Sequence, residues 1–202
     1  MRVAGVILAG GLSRRMGGGD KALAPLAGRP LLAHVVARLA PQVDGLMLSA
    51  NGDAARFAAF ALPVVPDLDR RFSGPLAGIL AAMTYAAQMQ PAVTALVSVP
   101  ADTPFVPDDL VRRLVVKQAE NQAEVVMAAS AGRPHPTVAL WSLDLREVLA
   151  QALARDERRV LGFIEGRRHA SVEWAAEPFD PFRNINTPEE LAEAERLAAR
   201  RP

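Results

Sequence analysis

Three observations predict a three-layer α/β/α fold for this sequence, built on a mostly parallel central sheet. Short apolar runs rich in β-branched residues, at 3–8, 46–49, 63–65 and 92–99, alternate with segments whose apolar side chains recur at helical spacing. The first run is apolar at nearly every position instead of every second one, the pattern of a strand covered on both faces. Strand and helix alternate through the first half, which argues for βαβ units, whereas the second half is more mixed and leaves room for antiparallel additions. No linker, internal repeat or low-complexity stretch divides the 202 residues, so a single domain spanning 1–202 is expected.

The opening strand runs directly into Gly10 and Gly11, where a backbone without Cβ atoms can turn sharply and approach a ligand. Arg14, Arg15 and Lys21 bring positive charge to the loop that follows, and successive N–H groups in such a loop form an anion-binding concavity. A polyphosphate is its natural occupant. Gly28-Arg29-Pro30 marks a turn, and Leu31, Leu32, Val35, Val36 and Leu39 form the apolar stripe of a helix that Pro41 ends. His34 falls beside that stripe and reads as a surface histidine. The second strand, 46–49, ends in Ala50-Asn51-Gly52-Asp53. A short helix over 54–60 leads to the third strand and to Asp67. After a polar loop closing at Gly74-Pro75, Leu76, Ile79, Leu80 and Met83 mark a core-facing helix.

Pro100-Ala101-Asp102-Thr103-Pro104 terminates the fourth apolar run, and Pro107 with Asp108 opens a helix to about residue 121. Strands are expected at 125–127 and 137–140, flanking a loop formed by Gly132-Arg133-Pro134-His135-Pro136. Leu145, Val148, Leu149, Ala152 and Leu153 build the next helix, a further helical turn lies at 160–164, and 171–174 is a strand. Thr187-Pro188-Glu189-Glu190 is a strong helix start, with a capping threonine, proline at the first position and glutamate at the third.

Composition narrows the functional class. With a formal net charge of +1 and no long basic run, nothing points to nucleic acid as the main partner. The absence of cysteine excludes disulfides, thiolate catalysis and thiolate metal sites, and it fits a reducing compartment. No segment has the roughly 20 apolar residues needed to cross a bilayer, and the N-terminus enters the first strand without a signal sequence, so a cytoplasmic protein is expected. Of the 23 cationic residues only Lys21 and Lys117 are lysines, which makes a lysine in the glycine-rich loop conspicuous.

In open α/β sheets, ligands bind beyond the carboxyl ends of the strands. Those ends read, in order, Leu8-Ala9-Gly10-Gly11, Ser49-Ala50-Asn51, Asp67 and Asp102. Asp102 suits Mg²⁺, which is commonly held by one or two carboxylates plus substrate phosphates; an Asx-turn is the plainer alternative. Asp67 could accept from N–H donors on a base edge, contact a ribose or serve a turn. Asn51 could touch base or ribose, or simply precede Gly52 in a turn.

Two common phosphate motifs do not fit the loop. A P-loop needs Ser or Thr after its lysine, and Lys21 is followed by Ala22. Gly17-Gly18-Gly19-Asp20-Lys21-Ala22 matches G-x-G-x-x-A but lies well past the strand end, so a nicotinamide enzyme is a remote reading. Leu8 to Gly11, Ser13, Arg15 to Gly17, Asp20, Lys21, Leu23, Gly28, Pro30 and Leu31 instead resemble the signature of nucleotidyltransferases that transfer NMP from an NTP. Asp67, Ser73-Gly74-Pro75-Leu76-Ala77-Gly78, Asp102-Thr103-Pro104, His135-Pro136-Thr137 and Asn184-Ile185-Asn186-Thr187-Pro188-Glu189-Glu190-Leu191 extend this over nearly the whole chain. Together they closely resemble the molybdenum cofactor guanylyltransferase family.

That resemblance implies a Rossmann-like nucleotidyltransferase fold, with residues 1–105 as the nucleotide-binding half and 106–202 as the acceptor half. It implies GMP transfer from GTP to the terminal phosphate of molybdopterin, the molybdenum cofactor's pterin, with release of pyrophosphate. Leu8, Ala9, Gly10, Gly11, Lys21, Asn51, Asp67 and Asp102 would bind GTP, Asp102 would also hold Mg²⁺, and Lys21 and Arg15 would face the phosphates. His135, Thr137, Asn184 and Asn186 would lie on the pterin side. A family position often held by asparagine falls on Ser49, which leaves Ser49 and Asn51 as two candidates for one base contact. An anionic phosphate nucleophile needs no general base, in keeping with the scatter of His34, His135 and His169 along the chain and no evident Ser-His-Asp arrangement. Molybdenum-insertion proteins and target apoenzymes are the implied protein partners. Cytidylyl transfer to the same pterin and a non-catalytic nucleotide-binding module are the alternative readings.

Overall fold

The computed structural model of the chain describes residues 1–10, 20–69 and 74–198. Strand β1 (Val3–Leu8) is followed by a two-residue hairpin of β2 (Pro25–Leu26) and β3 (Arg29–Pro30), then helix α1 (Leu31–Leu39). Next come β4 (Gly45–Ser49), a 3₁₀ helix (Ala54–Phe60), β5 (Val64–Val65), α2 (Pro75–Met89) and β6 (Ala95–Pro100). The second half holds α3 (Leu110–Asn121), β7 (Val125–Ser130), β8 (Arg133–Ser142), α4 (Arg146–Ala154), α5 (Val160–Glu165), β9 (His169–Trp174) and α6 (Pro188–Ala198).

Seven strands form one sheet in the order β5-β4-β1-β6-β8-β7-β9. The β1–β4, β1–β6, β4–β5 and β7–β9 pairs are parallel, while β8 runs antiparallel to both β6 and β7. Among the described strands of this sheet β8 alone runs against the rest. The expected mostly parallel, Rossmann-like sheet with an antiparallel addition in the second half is therefore what forms.

Period-two alternation divides the core between two faces. Val3 and Ile7 pack with Leu32, Val35 and Leu39 of α1 and with Leu110, Val111 and Leu114 of α3. Ala4 and Val6 point the other way, to Leu76, Ile79 and Met83 of α2, Leu149 and Leu153 of α4, and Phe163 and Ile164 of α5. Both faces are covered, which is why β1 is apolar along its whole length. A small third cluster, with Leu26, Leu31, Phe105, Ile185 and Ala194, seats α6 against the hairpin.

The structure corrects several expectations. The loop expected over 132–136 is largely strand: β7 and β8 are joined by a tight turn in which Ala131 and Gly132 both have positive φ. Pro134 and Pro136 are tolerated because β6 pairs only with residues 139–142, so that edge of the early β8 has no partner strand among the described residues. A register shift between Met127 and Ala128 absorbs the irregularity. His34 is not a free surface residue, since its Nε2 lies 2.8 Å from the Leu26 carbonyl and ties α1 to the hairpin. Helix α3 begins at Leu110, later than the Pro107-Asp108 signal suggests.

Candidate active site

The strand order reverses between β1 and β6: from β1 the chain moves outward through β4 and β5, then returns to place β6 on the other side. A crevice for ligands opens at such a point, outside the carboxyl ends of the strands. Backbone bonds hold the rim in register. The Ala9 N–H donates to the Ser49 carbonyl at 2.8 Å, Ala50 N–H to the Val65 carbonyl at 3.2 Å, and Ala101 N–H to the Leu8 carbonyl at 3.0 Å. Leu8 is half-buried, Ala9 buried and Gly10 exposed, so the chain surfaces at the start of the glycine-rich segment. Gly11, Arg15 and Ser73 lie outside the described residues.

Lys21 sits on a 3₁₀ turn (Lys21–Leu23) whose N-terminus is capped by Asp20, with Oδ1 accepting from the Ala22 N–H at 3.1 Å. The Lys21 amine donates to Asp102 Oδ2 and, at 2.6 Å, to Asn186 Oδ1. Both side chains of the Lys21–Asp102 pair are 16% exposed, at the mouth of the crevice. The other carboxylate oxygen, Asp102 Oδ1, is buried and has no hydrogen-bond partner among the described residues. A buried anionic oxygen of this kind is costly unless it meets a cation or donor. No cluster of three or more His, Cys, Asp or Glu side chains able to hold a metal exists among the described residues. The site therefore fits a hard cation that takes its remaining ligands from phosphate and water, as Mg²⁺ does.

On the β4–β5 side, Asn51 Nδ2 donates to Asp67 Oδ2 at 2.7 Å and the Asp67 N–H donates back to Asn51 Oδ1 at 3.0 Å. This reciprocal pair fixes the asparagine's orientation. Ser49, the competing candidate, is only 4% exposed. A Cβ at Gly78 would stand 2.3 Å from its hydroxyl, so α2 lies directly on Ser49 and Asn51 is the side chain left at the rim.

Beyond Asp102 the rim is built by the approach to α6. The Ile185 N–H donates to the Asp102 carbonyl at 3.0 Å, and the buried Thr103 hydroxyl donates to Asn184 Oδ1 at 3.0 Å. Asn184 and Asn186 are both exposed, and Asn184 can still present its amide nitrogen. The capping box forms as the sequence implies. Glu190 Oε2 accepts from the Asn186 and Thr187 N–H groups at 2.6 and 3.1 Å, and the Glu190 N–H donates to Thr187 Oγ1 at 3.2 Å. Asn186 is thus held at a helix N-terminus facing Lys21.

His135 and Thr137 lie at the start of β8, two strand positions along the same rim. The Thr137 carbonyl accepts from the Ser98 hydroxyl at 2.9 Å. His135 Nε2 lies 2.6 Å from Ser130 Oγ, whose hydroxyl donates to Asp180 Oδ1 at 2.8 Å. Ser130 has one proton, so with Asp180 as acceptor it must receive the His135 Nε2–H. Serine, histidine and aspartate therefore do meet, against the expectation from their spacing. Their order is not that of a hydrolytic triad, because the serine is central, buried and already donating. Burial is the main cause that holds the His135 pKa below its ordinary 6.5.

Ser130, Asp180 and Thr103 are residues bonded to the site that sequence reasoning did not single out. Thr103 carried the faint signal of lying inside the D-T-P segment; the other two are ordinary residues on their local patterns.

The family profile described as a MobA-like NTP transferase domain matches residues 5–172. A molybdenum cofactor guanylyltransferase from Rhodopseudomonas palustris (strain BisB5) is 54% identical over 196 residues, covering 96% of this chain and 93% of that protein. One from Bradyrhizobium sp. (strain ORS 278) is 54% identical over 198 residues, covering 98% and 93%. Among solved structures, molybdopterin-guanine dinucleotide biosynthesis protein A from Archaeoglobus fulgidus superposes with a TM-score of 0.77 at 24% identity, covering 100% of both chains, a likeness of fold.

Proposed function

The chain belongs to the MobA-like NTP transferase family, and from that premise and its rim we infer an enzyme that transfers GMP from GTP to the terminal phosphate of molybdopterin, releasing pyrophosphate. One observation carries the reading: the Lys21 amine and the Asp102 carboxylate meet at the reversal point of the sheet, with Asp102 Oδ1 buried and unpartnered among the described residues.

The residues act by position and charge. An oxygen of the acceptor phosphate forms a bond to the α-phosphorus of GTP, the bond from that phosphorus to the bridging oxygen breaks, and the electron pair leaves with pyrophosphate. The Lys21 ammonium has three N–H donors; Asp102 and Asn186 engage two, and the third meets a phosphate oxygen. Asp102 Oδ1 would hold Mg²⁺, which supplies charge neutralisation on the phosphate oxygens. Arg15 adds a second cation to the phosphates, and Leu8, Ala9, Gly10 and Gly11 bring backbone close to them. Asn51 and Asp67 accept and donate at the guanine edge. On the acceptor side Asn184, Asn186, His135 and Thr137 meet the pterin. Residues 1–105 and 106–202 serve as nucleotide and acceptor halves of one domain.

No helix among the described residues is long and apolar enough to cross a membrane, and the reading places the reaction in the cytoplasm, with cofactor handed on to molybdenum-insertion proteins or apoenzymes. The deciding experiment supplies molybdopterin, Mg²⁺ and GTP, CTP or ATP in turn and identifies the nucleotide joined to the pterin. A guanylylated product that needs Mg²⁺ is expected. A cytidylylated product would overturn the base assignment, and nucleotide binding without pyrophosphate release would overturn the enzyme.

A further inference from the structure

Arg56, on the 3₁₀ helix Ala54–Phe60, belongs to none of the motifs above, yet each nitrogen of its guanidinium donates to a residue of the loops around the crevice. Nε donates to Asp20 Oδ2 at 2.7 Å, one terminal nitrogen to the Asn51 carbonyl at 2.7 Å, and the other to the Asp53 carbonyl at 2.6 Å. Its Cζ lies 4.5 Å from the ring centre of Phe57, which is buried and acts as a fixed floor. Gly52, at φ +84°, keeps clear of it, since a Cβ there would stand 3.3 Å from an Arg56 nitrogen.

These contacts join two segments that otherwise belong to different strands. Asp20 holds Arg56 with one oxygen, and with the other it caps the turn that carries Lys21. Asn51 gives its carbonyl to Arg56 while its side chain pairs with Asp67. A continuous path therefore runs from the Lys21 turn through Asp20, Arg56 and Asn51 to Asp67. We propose that Arg56 is a positioning and specificity-determining residue for the nucleoside triphosphate: it sets the distance between the phosphate-gripping lysine and the base-facing Asn51–Asp67 pair.

The physical case rests on geometry. A guanidinium is a planar fork with five donors and can hold a carboxylate and two carbonyls at once; an ammonium is a point charge that cannot span them. A partly exposed ion pair contributes little to global stability, so the value of this arrangement lies in what it aligns. Base selection needs the pair at Asn51 and Asp67 to meet the base edge while the phosphates are seated. A loosened bridge costs that simultaneity, and so costs affinity and discrimination together.

The proposal rests on the nucleotide-binding reading, and the test separates the two. Direct calorimetric titration of GTP, CTP and ATP with Mg²⁺ is made on the natural protein, Arg56→Lys, Arg56→Ala and Asp20→Asn, with unfolding midpoints recorded for each. Expected are midpoints close to the natural protein for Arg56→Lys, at least about a tenfold loss of GTP affinity, and a similar fall in the GTP-over-CTP ratio. Asp20→Asn combined with Arg56→Lys should cost less than the sum of the two. Should the natural protein bind no triphosphate, the functional reading itself fails. Should it bind GTP selectively while folded Arg56→Lys and Asp20→Asn keep both affinity and preference, Arg56 is only structural and this proposal alone is overturned.

Discussion

Lys21 and Asn186, 165 positions apart in the chain, are joined by a 2.6 Å hydrogen bond across the crevice. The first follows the opening strand and the second sits at the N-terminus of the last helix, so the two ends of the sequence close one site. The same amine also holds Asp102 from the middle of the chain. Under the proposed roles, a phosphate entering between Lys21 and Asn186 would touch the nucleotide and acceptor sides together, where a group transferred from one to the other has to pass.

Replacing either member of the central pair should therefore disable the chemistry. Lys21→Ala and Asp102→Asn are each expected to lower turnover at least about tenfold, equivalent to ~1.4 kcal/mol of transition-state stabilisation. Pyrophosphate release under saturating substrates measures it. Near-natural release from either variant would refute the assigned roles.

Asn186→Ala should act on the other substrate. The amide is exposed, and under the proposed assignment it meets the pterin, so KM for the pterin substrate is expected to rise several-fold more than KM for GTP. Equal rises in both constants would show that Asn186 merely positions Lys21.

The His135 ring couples acidity to folding. Burial, aided by Arg133, lowers its pKa from 6.5, while Asp180 and Glu173 pull in the opposite direction without overcoming it. The unfolded chain thus takes up this proton at higher pH than the folded one. The contribution is fully present above pH 6.5 and is lost as pH falls through the lowered folded value. Thermal unfolding midpoints should therefore drop more steeply below pH 6.5 for the natural protein than for His135→Gln. Parallel curves for the two proteins would argue against it.

Gly78→Ala tests the contact that seats α2 on the rim. Its new Cβ would lie 2.3 Å from Ser49 Oγ and 3.2 Å from Ser49 Cβ, so one or both elements must shift. Overpacking of this sort costs about 1–3 kcal/mol, seen as a lowered midpoint in denaturant. Adding Ser49→Ala removes the nearer clash and should restore part of the loss, a non-additivity that independent sites would not show.

Much of this was legible in the residues themselves. A strand buried on both faces must be apolar throughout, so the centre of the sheet could be read at 3–8; helices that cover it must carry stripes, so α1, α2 and α4 could be read as well. The glycine-rich turn, Lys21, Asp67, Asp102 and the Thr187–Glu190 cap were visible for the same reason: local chemistry demands those residue types there. The start of β8 reads as a loop because proline signals a loop locally; it is acceptable as strand because, among the described residues, no strand pairs with that edge.

What the sequence by itself determined is the alternation of elements, the direction of the sheet and the list of polar residues delivered to its rim. What only the tertiary structure decided is who meets whom: Lys21 with Asp102 and Asn186, Asn51 with Asp67 at the rim while Ser49 lies buried under α2, Ser130 between His135 and Asp180, and Arg56 across two loops. The physical reason is range. Propensity and patterning act over a few neighbouring residues, whereas these contacts join positions brought together by strand order, and strand order is set by how two faces of one sheet bury their side chains.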